Sequence, residues 1–113
     1  MSVIDTDTFA ALRDTTGDDF VRELVDTFLE EAPSMLDDLR DALGKRDADR
    51  FRRAAHSLKS NGNTFGALAL GTLAKDLELA GLAQVEARGP QALVPIADEY
   101  ARVAAALTAL VHG

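Results

Sequence analysis

The chain contains no cysteine and no tryptophan, and its 113 residues include only 5% aromatics, three prolines and two histidines. Without cysteine there is no disulfide, no thiolate nucleophile and no thiolate metal site. With so few aromatics the core must be aliphatic, built mainly from Leu, Ala and Val. No uncharged apolar run approaches the ~18 residues needed to span a bilayer. The N-terminal Met-Ser-Val-Ile-Asp-Thr-Asp lacks a basic-then-apolar leader pattern. A soluble, cytoplasmic protein without membrane association is expected. The formal net charge of -7 argues against a general nucleic-acid binder, which needs a basic face.

What is present suits a folded module. Apolar residues make up 47% of the chain, enough for a real core, and the length fits one compact domain covering residues 1–113. The charge is unevenly placed. Residues 1–44 hold twelve acids and three bases, whereas residues 45–59 hold six bases and two acids. The basic run (Lys45, Arg46, Arg50, Arg52, Arg53 and Lys59) is either a solvated helix face or a field suited to an anion or an acidic partner.

The hydrophobic pattern is helical throughout, with no alternating runs of β-branched residues. A short helix over 6–14 would take Thr6 or Asp7 as N-cap and present Phe9 and Leu12. After Gly17, apolar residues from Phe20 to Leu43 recur at three and four, giving one long helix over about 18–44. Asp18 would cap it, Pro33 would kink it, and Gly44 would end it. Asp47 caps a third segment to about 62, with Phe51, Ala54, Ala55 and Leu58 inward. Gly62-Asn63-Thr64 reads as a break, after which Thr64 would cap a fourth segment carrying Leu70, Leu73, Leu77 and Ala80. Leu68, Leu79 and Leu82 fall off that stripe and suggest a second buried face. Gly89-Pro90 is a boundary, and the last helix carries Leu93 to Leu110, with Pro95 either kinking it or marking its start. Short connections favour antiparallel neighbours. The expected fold is all-α, an up-down-up-down four-helix bundle with a short extra N-terminal helix.

Several active-site classes fail on this sequence; composition alone leaves a Ser-His-Asp triad open, but no nucleophile elbow is present. It has no phosphate-cradling Gly-x-x-x-x-Gly-Lys-Ser/Thr loop, no His-Glu-x-x-His zinc pair and no Glu-x-x-His pair for a di-iron bundle. His112 stands next to the chain end and receives no role. His56 remains. At about 100° per residue it lies roughly 140° from Phe51, on the outer face with Arg52, Lys59, Ser60 and Asn63. A surface histidine without chemistry would show the same placement. Imidazole, which titrates near about 6.5 in water, otherwise offers a nucleophilic nitrogen at neutral pH. Lys59 at i+3 and Arg52 at i-4 are within reach of a phosphoryl group carried there, and Ser60 at i+4 leaves room for a bulky donor.

Ala54-Ala55-His56-Ser57-Leu58-Lys59, then Thr64-Phe65-Gly66-Ala67, then Leu73 and Leu77-Glu78, resemble the histidine phosphotransfer (HPt) domain of multistep phosphorelays. The family motif is His-x-x-Lys-Gly with a second Gly ten residues after the His; His56, Lys59 and Gly66 match. Phe28-Leu29-Glu30-Glu31-Ala32-Pro33 resembles the helix leading into the bundle, so the similarity covers about residues 8–111. The resemblance implies a carrier without ATPase or kinase activity. His56 would take a phosphoryl group from a response-regulator receiver aspartate and pass it to another receiver, downstream of a hybrid or other histidine kinase. The receiver would supply Mg²⁺, and this chain no cofactor and no metal site of its own. Lys59 would offset phosphoryl charge, and Gly66 would permit close packing where the next helix begins. Glu78 resembles the acid that accepts a hydrogen bond from the imidazole in chemotaxis kinases; pairing with Lys75 on its own helix would explain it as well. A bacterial origin is plausible from the same resemblance, and the exposed polar faces favour a monomer.

Two other readings stay open. One is the phosphoacceptor module of a chemotaxis-type histidine kinase. The other is an adaptor that docks receivers without being phosphorylated. Docking candidates are Phe9 and Leu12 on the first helix and exposed parts of the second. The chain departs from the motif at one place, where Ser60 stands for the usual Gly. Ser60→Gly is expected to alter transfer kinetics with at least one receiver; identical rates across a receiver panel would show that the hydroxyl has no part in partner preference.

Overall fold

The structure, a computed structural model, describes residues 3–113. Helix boundaries follow local chemistry. Helix α1 (Thr6–Thr16) is capped by Asp5, whose carboxylate accepts from the Thr8 amide at 3.3 Å and from the Thr8 hydroxyl. Thr6 and Asp7, the expected caps, are already helical. Gly17, at φ 89°, closes α1 and also takes the N-cap position of α2 (Asp18–Lys45). Asp18 is therefore the first helical residue and favours the helix dipole without capping it. Helix α2 runs through Pro33, which deprives the Leu29 carbonyl of its usual partner. It ends at Arg46, which adopts the left-handed conformation at φ 57° and donates its N–H to the Ala42 and Leu43 carbonyls. Gly44, the expected terminator, stays inside the helix.

Helix α3 (Ala48–Thr64) begins as the sequence predicts, with the Asp47 carboxylate accepting from the Arg50 amide at 3.1 Å. It does not break at Gly62. The helix continues through Asn63 and Thr64, and the Thr64 hydroxyl donates to the Ser60 carbonyl at 2.9 Å, so it is not the cap of the next helix. Helix α4 (Leu68–Ala87) follows the short turn Phe65–Ala67 and is interrupted by Gly81 at φ 79°, ψ 165°. Helix α5 (Val94–His112) carries Pro95 in its first turn, so the proline marks a start and not a kink. Among the described residues there is no strand and no helix long and apolar enough to cross a membrane.

Helices α2 to α5 form a closed ring in which each packs on the next and α5 returns to α2. Cross-helix pairs show the antiparallel order. Arg50 near the start of α3 meets Asp38 and Asp41 near the end of α2. His56 meets Glu78, and Asn63 lies against Gly71. At the far side Arg22 donates to the Val111 carbonyl at 3.2 Å, and His112 reaches Asp26 at 2.7 Å. The result is an up-down-up-down bundle, with α1 packed on α2 and α3 at one end. The α2 face that enters the core starts at Val21; Phe20, one residue earlier, is half exposed, which corrects its expected place in the stripe. Leu110 is likewise exposed in the last turns of α5. Phe28 at the centre of α2 packs on Phe65 and Tyr100, with ring centroids 5.4 and 6.0 Å apart, tying the α3–α4 turn and α5 to one anchor.

The tightest approach lies between α3, its following turn and α4. A Cβ at Gly62 would sit 3.3 Å from the Ala67 carbonyl and the Gly71 amide, and one at Gly71 would overlap the Asn63 side chain. Gly66, expected to permit close packing where the next helix begins, makes such an approach against another element. Its actual neighbour is α1: the Asp5 amide donates to the Gly66 carbonyl at 2.8 Å, and a Cβ at Gly66 (φ 82°) would stand 2.7 Å from the Asp5 carbonyl. Gly66→Ala combines this clash with a left-handed backbone and is expected to lower stability by about 2 kcal/mol or more. Chemical denaturation monitored by helical circular dichroism measures it; a loss below about 0.5 kcal/mol would show that α1 is not held by this contact.

Candidate functional site

The two middle helices of the ring build the site. On α3 the inward residues Phe51, Ala54, Ala55 and Leu58 are buried, which turns His56 outward. Its side chain is 59% exposed. On α4, Leu70, Ala74 and Leu77 are buried and rotate Glu78 into the α3–α4 seam, where its side chain is only 15% exposed. Small residues at Gly62, Ala67 and Gly71 bring the helices near enough for that carboxylate to bridge two partners. Glu78 Oε2 lies 2.7 Å from His56 Nδ1, and Oε1 accepts from Lys59 Nζ at 2.6 Å. The Lys59 hydrogen bond above all, opposed by partial desolvation and helped by His56, holds the Glu78 carboxyl below the usual carboxylate range.

That ionisation fixes the imidazole. A carboxylate only accepts hydrogen bonds, so the short contact to His56 requires the proton on Nδ1. In the neutral ring the lone pair then sits on Nε2, the nitrogen not engaged by Glu78. The arrangement can present one nucleophilic nitrogen in a fixed tautomer, with an ammonium group one turn away.

Ser60 is exposed beside the imidazole, at i+4 on the same face of α3. Arg52 is also exposed, but its guanidinium donates to Asp49 at 2.8 Å and does not contact His56. The same holds for the whole basic run. Lys45 pairs with Asp41, Arg46 with Glu86, Arg50 with Asp38 and Asp41, Arg53 with Asp49, and Lys59 with Glu78. The expected cationic collar around the histidine is thus largely neutralised in the fold. Lys75 does not pair with Glu78, whose two carboxylate oxygens are engaged by His56 and Lys59 across the seam. Phe9, expected as a docking residue, is buried. Leu68 and Leu79, expected to be buried, are 49% and 74% exposed, while Leu82 does pack against the core. Sequence spacing marked these leucines as off the main stripe; the missing information was that α4 has neighbours on only part of its circumference. No group of three or more His, Asp or Glu among the described residues is placed to hold a metal ion.

The family model for the Hpt domain matches residues 23–112, which include both helices and the whole site. The chain belongs to the Hpt domain family. This Hpt domain is therefore a histidine-containing phosphotransfer module of two-component signalling, in a family of phosphocarriers that interact with receiver domains and histidine kinases. No curated protein and no solved structure matches the chain.

Glu78→Gln is expected to shift the His56 ring away from the Nδ1–H tautomer, read from its ring ¹⁵N shifts. Because the folded carboxyl titrates below its unfolded value, the bridge stabilises fully above the ordinary carboxylate range and fades as pH falls through the depressed value. The melting-temperature gap between wild type and Glu78→Gln should therefore be open at pH 7 and close below about pH 4. An unchanged tautomer with a pH-independent gap would remove the orienting role.

Proposed function

We propose that His56 is the phosphoacceptor and that the domain relays phosphoryl groups between receiver aspartates. The observation that carries this reading is the pairing of an exposed imidazole with a partly buried, ionised Glu78 that accepts a hydrogen bond from its Nδ1–H. In the proposed step the Nε2 lone pair attacks the phosphorus of the receiver's acyl phosphate. A P–N bond forms and the P–O bond to the aspartyl oxygen breaks, with its electron pair leaving on the carboxylate. The ring keeps its Nδ1 proton and becomes an N-phosphoryl imidazolium, whose positive charge Glu78 stabilises. Reversal onto a second receiver returns the neutral ring. Lys59 already lies one turn away and swings from Glu78 toward the phosphoryl oxygens to offset their charge. Surface ion pairs of the Arg52–Asp49 kind are worth roughly 1 kcal/mol or less, so Arg52 remains free to exchange partners when a phosphoryl group or a receiver arrives. Mg²⁺ belongs to the receiver in this reading, and Ser60 keeps the approach to Nε2 open.

The alternative as the acceptor module of a chemotaxis-type kinase shares the Glu78 contact and differs in the donor, ATP through a catalytic domain. The test is incubation with receiver domains carrying labelled aspartyl phosphate. Acid-labile, base-stable label is expected on the wild-type chain and none on His56→Gln. Lys59→Ala is expected to slow transfer about 10- to 100-fold while leaving the helical fold intact. Label retained by His56→Gln would overturn the assignment.

A further inference from the structure

The end of α3 is Ser60-Asn61-Gly62-Asn63-Thr64, a string of residues that favour turns and caps over helix interiors. Its helical state is held from outside. The Asn61, Gly62 and Asn63 carbonyls accept from the Phe65, Ala67 and Gly66 amides of the following turn, at 3.3, 2.8 and 3.1 Å, and Phe65 is packed on Phe28. The Asn61 side chain bonds back along the helix, its Nδ2 donating to the Ser57 carbonyl at 2.8 Å. Gly62 is buried against α4. Asn61-Gly62 is the one Asn-Gly pair in the chain, and the other asparagine, Asn63, precedes the β-branched Thr64.

We propose that Asn61-Gly62 is a deamidation site that folded α3 holds inactive, that opening of the helix end activates, and whose conversion unseats the α3–α4 seam. The Gly62 amide nitrogen attacks Asn61 Cγ and gives up its proton. An N–C bond forms, the Cγ–Nδ2 bond breaks, and ammonia leaves with that proton. Water then opens the five-membered imide at either carbonyl, leaving aspartate or isoaspartate. Glycine leaves the attacking nitrogen unhindered, whereas Thr64 crowds the same attack at Asn63. In the fold the attack is blocked. The helical ψ of about -42° turns the Gly62 nitrogen away from the side chain. The Gly62 N–H is engaged within the helix, and the Ser57 carbonyl holds the carboxamide. Both products disturb the seam. Isoaspartate routes the main chain through the side chain and adds a methylene directly before Gly62, where even a Cβ would stand 3.3 Å from the Ala67 carbonyl and the Gly71 amide. Aspartate replaces the donor facing the Ser57 carbonyl with an acceptor and puts negative charge in a last turn that holds no base. The Glu78 bridge to His56 and Lys59 depends on that close approach.

The test incubates the folded chain, the chain unfolded in guanidinium chloride, and Asn61→Gln in both states, at mildly alkaline pH. Amide loss is located by peptide mass spectrometry, with isoaspartate told from aspartate by electron-transfer fragmentation. In the unfolded chain Asn61 should convert ahead of Asn63, with isoaspartate among the products, and Asn61→Gln should show no comparable conversion at that position. The folded chain should convert at least about tenfold more slowly, and sub-denaturing guanidinium should speed it in step with hydrogen exchange of the Phe65 amide. Converted protein, refolded and purified, should melt below the wild type and lose the Nδ1–H preference in the His56 ring ¹⁵N shifts. Asn61→Asp, which reproduces the plain hydrolysis product, should also melt below the wild type. Equal rates at Asn61 and Asn63 in the unfolded chain overturn the site. Equal rates at Asn61 in the folded and unfolded chains overturn the control by the helix. A converted chain with unchanged melting temperature and tautomer overturns the link to the seam. These readouts use no receiver domain, so their failure leaves the carrier reading standing.

Discussion

The close approach of α3 and α4 is the constraint on which the site depends. Where side chains shrink to Gly62, Ala67 and Gly71, the two helices come together, and a carboxylate from one can span two groups on the other. Larger residues there would widen the seam and leave Glu78 without His56 or Lys59. The acid would then be an ordinary surface group, and either ring nitrogen of His56 would carry the proton. The tautomer of His56 is thus set by backbone packing a turn or two away from it.

The rest of the bundle serves that seam. Phe28 at the middle of α2 holds Phe65 in the α3–α4 turn and Tyr100 on α5, so the turn that sets the register between the two site helices is pinned from the core. Gly66 presents its carbonyl to Asp5 and anchors α1 over the same end. The apolar stripe of α3 is narrow, and its inward residues are mostly buried, which leaves the opposite face, with His56 and Ser60, in water. A histidine placed this way is accessible because the buried stripe of its helix lies on the opposite side.

Electrostatics follows a similar logic. Six bases in fifteen residues look like an anion trap when read along the chain. In the bundle α2 and α4 bring acids to Arg46, Arg50 and Lys59, while Arg52 and Arg53 pair with Asp49 one turn back on α3 and Lys45 with Asp41 one turn back on α2. The excess of acid over base is then distributed over the remaining surface. Exposed pairs of this kind are weak and exchangeable, so they neutralise the resting domain without locking it.

The sequence by itself determined the helical class, the approximate extent of each helix, Asp47 as a cap and His56 as an outward-facing residue with Lys59 one turn on. These are local properties: they follow from a 3.6-residue period and from the hydrogen-bonding needs of helix ends, and both are written in neighbouring residues. Boundaries shifted where a competing local choice won, as at Arg46, which ends α2 in place of Gly44, and at Thr64, whose hydroxyl bonds back to Ser60. Only the tertiary structure decided that Glu78 bridges His56 and Lys59, that Gly66 packs on α1, and that Phe20, Leu68 and Leu79 face solvent. Each of these depends on which helices are neighbours, in what register and at what separation, and those quantities arise from packing between distant segments, for which helical periodicity carries no signal.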